Sequence, residues 1–420
     1  MIDLDFPAVL YGAGGYAVYE KQQAEQSGIK PLCFVDADTE KQGRSYLGLP
    51  VISLEQAKER YGDFLVHITT DMHLRREIFE YLVRQGIKAE RILNYVEMEE
   101  CLGCTELDSK LHADSSSLFT CCKLNNTMSD ETEVCWKDCH DMESVILKYV
   151  ETRDKLIRSI RGDETCRCTG CSIIKNELRP VRKIFKTVSV GFAHPCQLSC
   201  VYCSFRSSNS RFLIKKEHQA FAKDFDYARF IEILEKQRLL HYDTGIIFAA
   251  GEITINPRLN EILSTLQKYK LSVATNGLIY NQRLADLTSR QGSDMLISVD
   301  AGTQKTFEMI KGMDAFDIVW GNIRKYTDCG VNLTAKYVFL NENSMEADVE
   351  GFINEAKKAG VREVFISADY YRQEELPYNI LDLAAKMSNM AEENGLKYVI
   401  LPTFKPCEQI DIQRMKCEAD

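Results

Sequence analysis

Short apolar runs alternate with amphipathic stretches along most of the chain, with one long interruption. Ala8-Val-Leu-Tyr11, Pro31-Leu-Cys-Phe-Val35, Pro50-Val-Ile52 and Phe64-Leu-Val-His-Ile68 read as strands. Between them the spacing predicts helices: one ending near Gln26, one capped by Ser53, and one from Asp71 to Gln85. Strands alternating with helices imply a parallel, doubly wound sheet, so residues 1–98 are predicted to form a small α/β unit. Residues 99–185 break the pattern. They are polar, carry clustered cysteines and offer one amphipathic helix around Glu143 to Arg161. They hold too few apolar residues for a large core of their own, and a bound metal could supply the missing cohesion. The alternation returns at Lys186. Strands are expected at Thr187–Phe192, Gly245–Ala249, Leu271–Thr275, Met295–Val299, Asn332–Leu340 and Arg362–Ser367, separated by helices such as Asp226–Lys236, Arg258–Lys268 and Glu346–Ala359. Six strand–helix units predict a partial (β/α)6 barrel of TIM type over residues 186–405, with function at the strand C-terminal ends. Residues 406–420 read as a C-terminal tail.

Composition narrows the function. Hydrophobic residues make up 45% and charged residues 27% of 420, as in an ordinary globular chain. A net charge of -10 argues against general nucleic-acid binding, which needs a basic surface. No apolar stretch approaches a membrane span, and the start shows no secretion signal, so a cytoplasmic location is expected. Sixteen cysteines are then too many to ignore. Nine lie between Cys101 and Cys171, and three more between Cys196 and Cys203. In a reducing compartment such clusters bind metal more readily than they form disulfides.

The sharpest motif is His194-Pro-Cys196-Gln-Leu-Ser-Cys200-Val-Tyr-Cys203, placed directly after the first barrel strand. Three thiolates at this spacing can hold a cubane and leave one iron without a protein ligand. A zinc site lacking its fourth ligand is the other reading of the spacing alone. The second strand ends in Ala249-Ala-Gly251-Glu252, the third in Thr275-Asn276-Gly277, and the fourth in Ser298-Val-Asp300. Lys336 sits inside an apolar strand, where it can face the barrel interior or solvent. Asn341 follows that strand, and Asp369 and Tyr370 follow the sixth.

Together these motifs resemble the radical S-adenosylmethionine (SAM) superfamily over roughly Lys186 to Thr403. The resemblance implies a [4Fe–4S] cluster on Cys196, Cys200 and Cys203 whose open iron chelates SAM. Reductive cleavage of SAM would give a 5′-deoxyadenosyl radical that takes hydrogen from a substrate, with flavodoxin or ferredoxin as reductant. Tyr202 matches the aromatic before the third cysteine. Gly251 and Glu252 match a glycine–glutamate motif for the SAM amino group, although Ala250 and Ile253 depart from it. Thr275, Asn276, Ser298, Asp300, Lys336, Asn341 and Asn343 are implied around the SAM ribose and carboxylate. Asp369 and Tyr370 are implied on the substrate side, as catalytic candidates.

The cysteine-rich segment is similar in composition to SPASM-type regions, which carry auxiliary [4Fe–4S] clusters. Such regions usually follow the barrel; here the cysteines precede it. Cys122, Cys139, Cys168 and Cys171 are the expected ligands, with Cys121, Cys135 or Cys166 as substitutes and a zinc ribbon as the alternative. In the N-terminal unit, Gly12-Ala-Gly14-Gly15 resembles a phosphate loop of Rossmann type, with Asp36 ending the second strand to accept ribose hydroxyls. The unit resembles the nucleotide-sugar-binding domain of bacterial sugar acetyltransferases, or a docking domain that kept the fold alone. The fusion points to a nucleotide-linked sugar or other carbohydrate as substrate. A ribosomal peptide is the runner-up, and a non-catalytic iron–sulfur sensor the reading from another class.

Overall fold

The computed structural model describes all residues except 1–5, 27–28, 94, 96–97, 122–131, 163, 167, 172, 181–183, 192–195, 204–219, 222, 250, 370–371, 373 and 419–420. The N-terminal sheet contains β1 (Ala8–Tyr11), β2 (Pro31–Val35), β3 (Ser45–Tyr46), β4 (Leu49–Ile52) and β5 (Leu65–Ile68), in the order β3-β4-β2-β1-β5. Strands β4, β2, β1 and β5 are parallel, and β3 pairs with β4 as a short antiparallel hairpin. Taken as successive parallel strands, their order is third, second, first, fourth, that of a doubly wound sheet. Both faces are covered. Val9, Val35 and Ile68 belong to one apolar cluster, and Leu10, Phe34 and Leu65 to another, as a parallel sheet requires. Ser53 caps its helix with a reciprocal box: the Gln56 amide donates to Ser53 Oγ at 3.1 Å, and the Ser53 amide to Gln56 Oε1 at 3.0 Å.

The cysteine-rich segment is more structured than its polarity suggests. It supplies β6 (Met98–Gly103), β7 (Lys110–Asp114), β8 (Ser117–Phe119), β9 (Glu133–Cys135) and β10 (Lys175–Pro180). β6 and β10 form a separate antiparallel pair. β7 instead joins β11 (Phe185–Gly191) in parallel, and β8 and β9 continue outward antiparallel. On the other side of β11 follow β12 (Leu240–Phe248), β13 (Lys270–Thr275), β14 (Asp294–Ser298), β15 (Leu333–Phe339), β16 (Glu363–Ala368) and β17 (Lys397–Ile400), all parallel. The ten strands stay open, from β17 at one edge to β9 at the other. This is a partial barrel, with no closure among the described residues.

Two differences from the sequence pattern have physical causes. Strand β17 adds a parallel strand beyond the six expected; it lies at the sheet edge with half-exposed side chains, so its apolar signal is weak. The cysteine-rich segment builds no large core because it shares one. Leu111, Ala113, Leu118, Val134, Val145, Ile146 and Tyr149 join the main apolar cluster of the barrel. Each Leu, Val or Ile among them removed from water contributes about 1.5–3 kcal/mol. The same cluster includes Ile412 and Met415, so the stretch read as a tail forms a helix, Pro406–Glu418, that docks on the barrel. No described helix is long and apolar enough to cross a membrane.

Candidate functional site

The cysteine loop leaves the C-terminal end of β11 and is held from below by the end of helix Gln304–Lys311. The Ser199 amide donates to Lys311 O at 2.9 Å and the Val201 amide to Ile310 O at 3.0 Å, while the Cys203 amide closes a turn on Cys200 O at 3.1 Å. Gly312 ends that helix at φ +72°, and a Cβ there would come within 2.9 Å of Ser199 Cβ. Glycine thus permits both the left-handed cap and the close approach of the loop. Burial pushes the Cys200 thiol up to about 11, against the Lys311 ammonium, with Cys196 and Cys203 pushing it further. Burial raises Cys196 as well, opposed by the Leu198 amide and the Asn276 side chain. The three thiols are therefore neighbours that an added positive centre would favour as thiolates. No three ligand side chains among the described residues converge on one ion position. A cubane takes one thiolate on each of three irons, so its ligands stand around it.

Glu252 ties the loop to two strand ends. It is fully buried, which an ionised carboxylate tolerates only when its oxygens are satisfied. Thr254 donates to Oε1 through its amide at 3.0 Å and its hydroxyl at 2.6 Å. The Thr275 hydroxyl lies 2.8 and 3.0 Å from the two oxygens, and the Asn276 amide donates to Oε2 at 2.6 Å. Asn276 then places its Nδ2 at 3.5 Å from Cys196 Sγ and 3.0 Å from Gln197 Oε1. Gly251, just before, adopts φ +63°. In this arrangement the carboxylate orients a cluster-side amide.

Asp300 organises the neighbouring strand ends. It adopts φ +61°, a left-handed conformation open to aspartate, and is fully buried. Its Oδ2 accepts from the Lys311 ammonium and the Tyr202 hydroxyl, and its Oδ1 from the Val338 amide at 2.8 Å. Lys311 also reaches the Tyr202 oxygen at 3.0 Å. The backbone oxygen of Asp300 accepts from Asn343 Nδ2 at 2.8 Å. Lys311 was not singled out by sequence, whereas Asn343 was expected with Asn341 near the SAM ribose. Buried lysine on a helix has no local signature, and Asn343 lies two residues beyond Asn341, which is exposed. Lys336 pairs in register with Ser298 and Phe365. Its neighbours Ala335 and Tyr337 are buried in the main core, so strand alternation turns Lys336 and Ser298 to the opposite, barrel-interior face. Burial lowers the Lys336 pKa, with Asp300 opposing and Lys311 adding to the drop. Its ammonium has no hydrogen-bonding or ionic partner among the described residues.

Other expected residues are distributed differently. Asp369 follows β16 at the same end of the sheet, whereas Tyr370 and Cys122 lie outside the described residues. Cys139 packs on the main core with Trp136, while Cys168 packs in a separate cluster with Cys104 and Cys166. In the N-terminal unit Gly12 adopts φ +110°, and a Cβ there would meet Thr70 Cγ2 at 2.7 Å. A Cβ on Gly14 would meet nothing within 4 Å. The Asp36 carboxylate is occupied within its own loop. Oδ2 accepts from the Ala13 amide at 2.7 Å and Lys41 Nζ at 3.1 Å, and Oδ1 from the Asp38 amide at 2.9 Å.

Comparison with known proteins bears on this site. Residues 192–354 match the model of the Radical SAM superfamily. A probable GTP 3′,8-cyclase of Saccharolobus islandicus is 26% identical over 186 residues, covering 42% of this chain and 54% of the relative. One of Saccharolobus solfataricus is 25% identical over 182 residues, with the same coverage. The chain thus spans about half the length of the curated relatives it matches. Among solved structures, SuiB of Streptococcus suis bound to SAM aligns with a TM-score of 0.42 and 10% identity, over 63% of this chain and 58% of that one. A structure of anSMEcpe with bound SAM aligns with a TM-score of 0.37 and 15% identity, over 51% of this chain and 63% of that one. With the cysteine loop at the end of β11 and the family match across it, the chain carries a radical SAM domain, the domain of enzymes that use a [4Fe–4S] cluster and SAM.

Proposed function

We propose that this protein reductively cleaves SAM and uses the resulting radical to take hydrogen from a nucleotide-linked sugar or another carbohydrate. One observation carries the first half: Cys196, Cys200 and Cys203 share a loop at the strand C-terminal face, where Asn276, oriented by Glu252, contacts Cys196 Sγ. When bound, the cluster supplies the electron that breaks the SAM sulfonium bond. The chain's own residues bind and orient. Asn276 donates to a cluster thiolate, the Lys336 ammonium faces the interior to receive a carboxylate, and the Lys311–Asp300–Tyr202 network fixes the third and second cysteines' backbone. Asp369 stands on the substrate side.

The carbohydrate reading is supported by the glycine loop of the N-terminal sheet and by curated relatives whose name specifies a nucleotide substrate. A cytoplasmic setting fits the described cysteines, all of which are free thiols, and a flavodoxin or ferredoxin would deliver the electron there. The test is anaerobic turnover with dithionite. Reconstituted protein should convert SAM to 5′-deoxyadenosine, and Cys196→Ala, Cys200→Ala and Cys203→Ala together should abolish it. Undiminished product from the triple variant would overturn the assignment. For the substrate, deuterium from a labelled nucleotide sugar should appear in 5′-deoxyadenosine; label arriving only from a peptide would replace the carbohydrate reading.

A further inference from the structure

The cysteines of the segment before the barrel regroup in space in a way their order conceals. Cys168-Thr-Gly170-Cys171 forms a tight knuckle: the Cys171 amide donates to Cys168 O at 3.0 Å, and Gly170 takes φ +79°. Four residues on, Lys175 pairs with Gly103 across the β10–β6 ladder, so Cys104, next to Gly103, lies beside the knuckle. The third segment arrives through β7 and β8. Their register sets Ala113 against Leu118 and His112 against Phe119. β8 ends at Phe119 heading toward the start of β7, where Lys110 directly follows the short helix Thr105–Ser109 that Cys104 opens, and Cys121 comes two residues later. Cys104, Cys166 and Cys168 pack with Leu107, Leu156, Ile157 and Ile160.

The thiols perturb one another accordingly. Burial raises Cys104, the Leu107 and Glu106 amides oppose it, and Cys121 and Cys171 raise it again. Cys168 is pushed up to about 12 by burial, then by Cys166, Cys104, Cys171 and Cys121. Cys166 stands just before the knuckle and shapes its start. Its amide donates to Thr169 Oγ1 at 2.9 Å, and that hydroxyl reaches back to its sulfur at 4.0 Å, shaping the turn before the knuckle.

We infer that Cys104, Cys121, Cys168 and Cys171 bind a second [4Fe–4S] cluster, one with all four irons held by protein. Four thiols from three segments supply one thiolate to each iron of a cubane; a tetrahedral zinc ion would take the same four and is the outcome that metal analysis would exclude. The site also lies at the opposite end of the sheet from SAM. Lys110 pairs with Thr187 near the start of β11, and Asp114 with Gly191 at its end. Those four steps alone span about 13 Å at 3.3 Å per residue, before the catalytic loop begins. The second cluster therefore staples the chain after β6 and after β8 to the knuckle before β10, and does not ligate substrate.

The test uses iron content and the EPR signal of dithionite-reduced full-length protein. The variant lacking Cys196, Cys200 and Cys203 should keep about four irons per chain, and SAM should leave its EPR signal unchanged, because no iron is open. Adding Cys168→Ala and Cys171→Ala should remove that iron, whereas adding Cys135→Ala and Cys139→Ala should not. Should the former variant fail to fold, Cys171→Ala alone, at an exposed thiol, should alter the residual signal with far-UV circular dichroism intact. Zinc in place of iron, iron surviving the loss of Cys168 and Cys171, iron lost with Cys135 and Cys139, or a signal that shifts with SAM would each overturn the inference. Failure of the 196–203 reading would show separately, as absence of a SAM-responsive signal in the unmutated protein.

Discussion

The two cysteine groups of this chain are built in opposite ways. Cys196, Cys200 and Cys203 lie within eight consecutive residues, on one loop, at the end of the sheet where the other strand ends present polar groups. Cys104, Cys121, Cys168 and Cys171 come from three separated segments and meet at the other end of β7 and β11. The first set is three thiolates and leaves coordination open for a cofactor; the second is four and closes it. A local set can be exposed to chemistry because its geometry is fixed by one loop. A dispersed set instead fixes the segments that supply it, as metal sites coupled to folding do.

The largest effect expected from a single substitution near the first group is on Lys311. Lys311→Met would leave the fully buried Asp300 carboxylate without its cation, and losing one partner of a buried pair costs about 3–5 kcal/mol. Thermal or urea denaturation should show this, with SAM cleavage falling as the loop loses its support. The same change at exposed Lys137, which belongs to neither cysteine group, should be silent. A Lys311→Met protein as stable as the parent would remove the network from the account. Glu252→Gln comes next. Its amide group would face the Thr254 and Asn276 donors that a carboxylate accepts, at about 1–3 kcal/mol for the unsatisfied polar atoms. Stability should drop, and 5′-deoxyadenosine formation should drop with it, because Asn276 loses its orientation toward Cys196. Retained cleavage at reduced stability would make Glu252 purely structural.

Lys336→Met should act on binding. Removing a hydrogen bond to a charged group costs about 1.5–3 kcal/mol, so SAM affinity by calorimetry should weaken roughly ten- to hundredfold. The pKa of the half-buried Lys336 is lowered. Between that value and the ordinary lysine value the unfolded chain binds the extra proton, so the lysine's contribution to stability rises with pH across this window. SAM affinity should move the other way, falling as pH rises through the lowered pKa, and this dependence should vanish in Lys336→Met. The smallest structural effect is expected at Gly14→Val, since nothing lies within 4 Å of its Cβ position. A nucleotide sugar that raises the Tm of the parent should not raise that of the variant, while basal SAM cleavage persists.

What could be read in the sequence follows from the same distinction. The triplet, the Glu252 strand end and the alternation of the barrel are local patterns, visible in a window of a few residues. The partners that hold them are not. Lys311 meets Asp300 and Tyr202 only after a helix returns to the loop. Cys104 carries no spacing that links it to the Cys168–Cys171 knuckle, and Cys139, expected as a ligand from the sequence, packs on the main core. Likewise the polarity of residues 99–185 hides that their apolar side chains complete the barrel's core and do not need one of their own.

The central claim is that the 196–203 loop presents an open iron to SAM. Electron–nuclear double resonance on the dithionite-reduced Cys168→Ala/Cys171→Ala protein, with SAM labelled by nitrogen-15 at its amino group, tests it directly. A nitrogen-15 coupling to the reduced cluster, lost on further replacement of Cys196, Cys200 and Cys203, is the predicted result; a cluster signal with no such coupling would contradict the account.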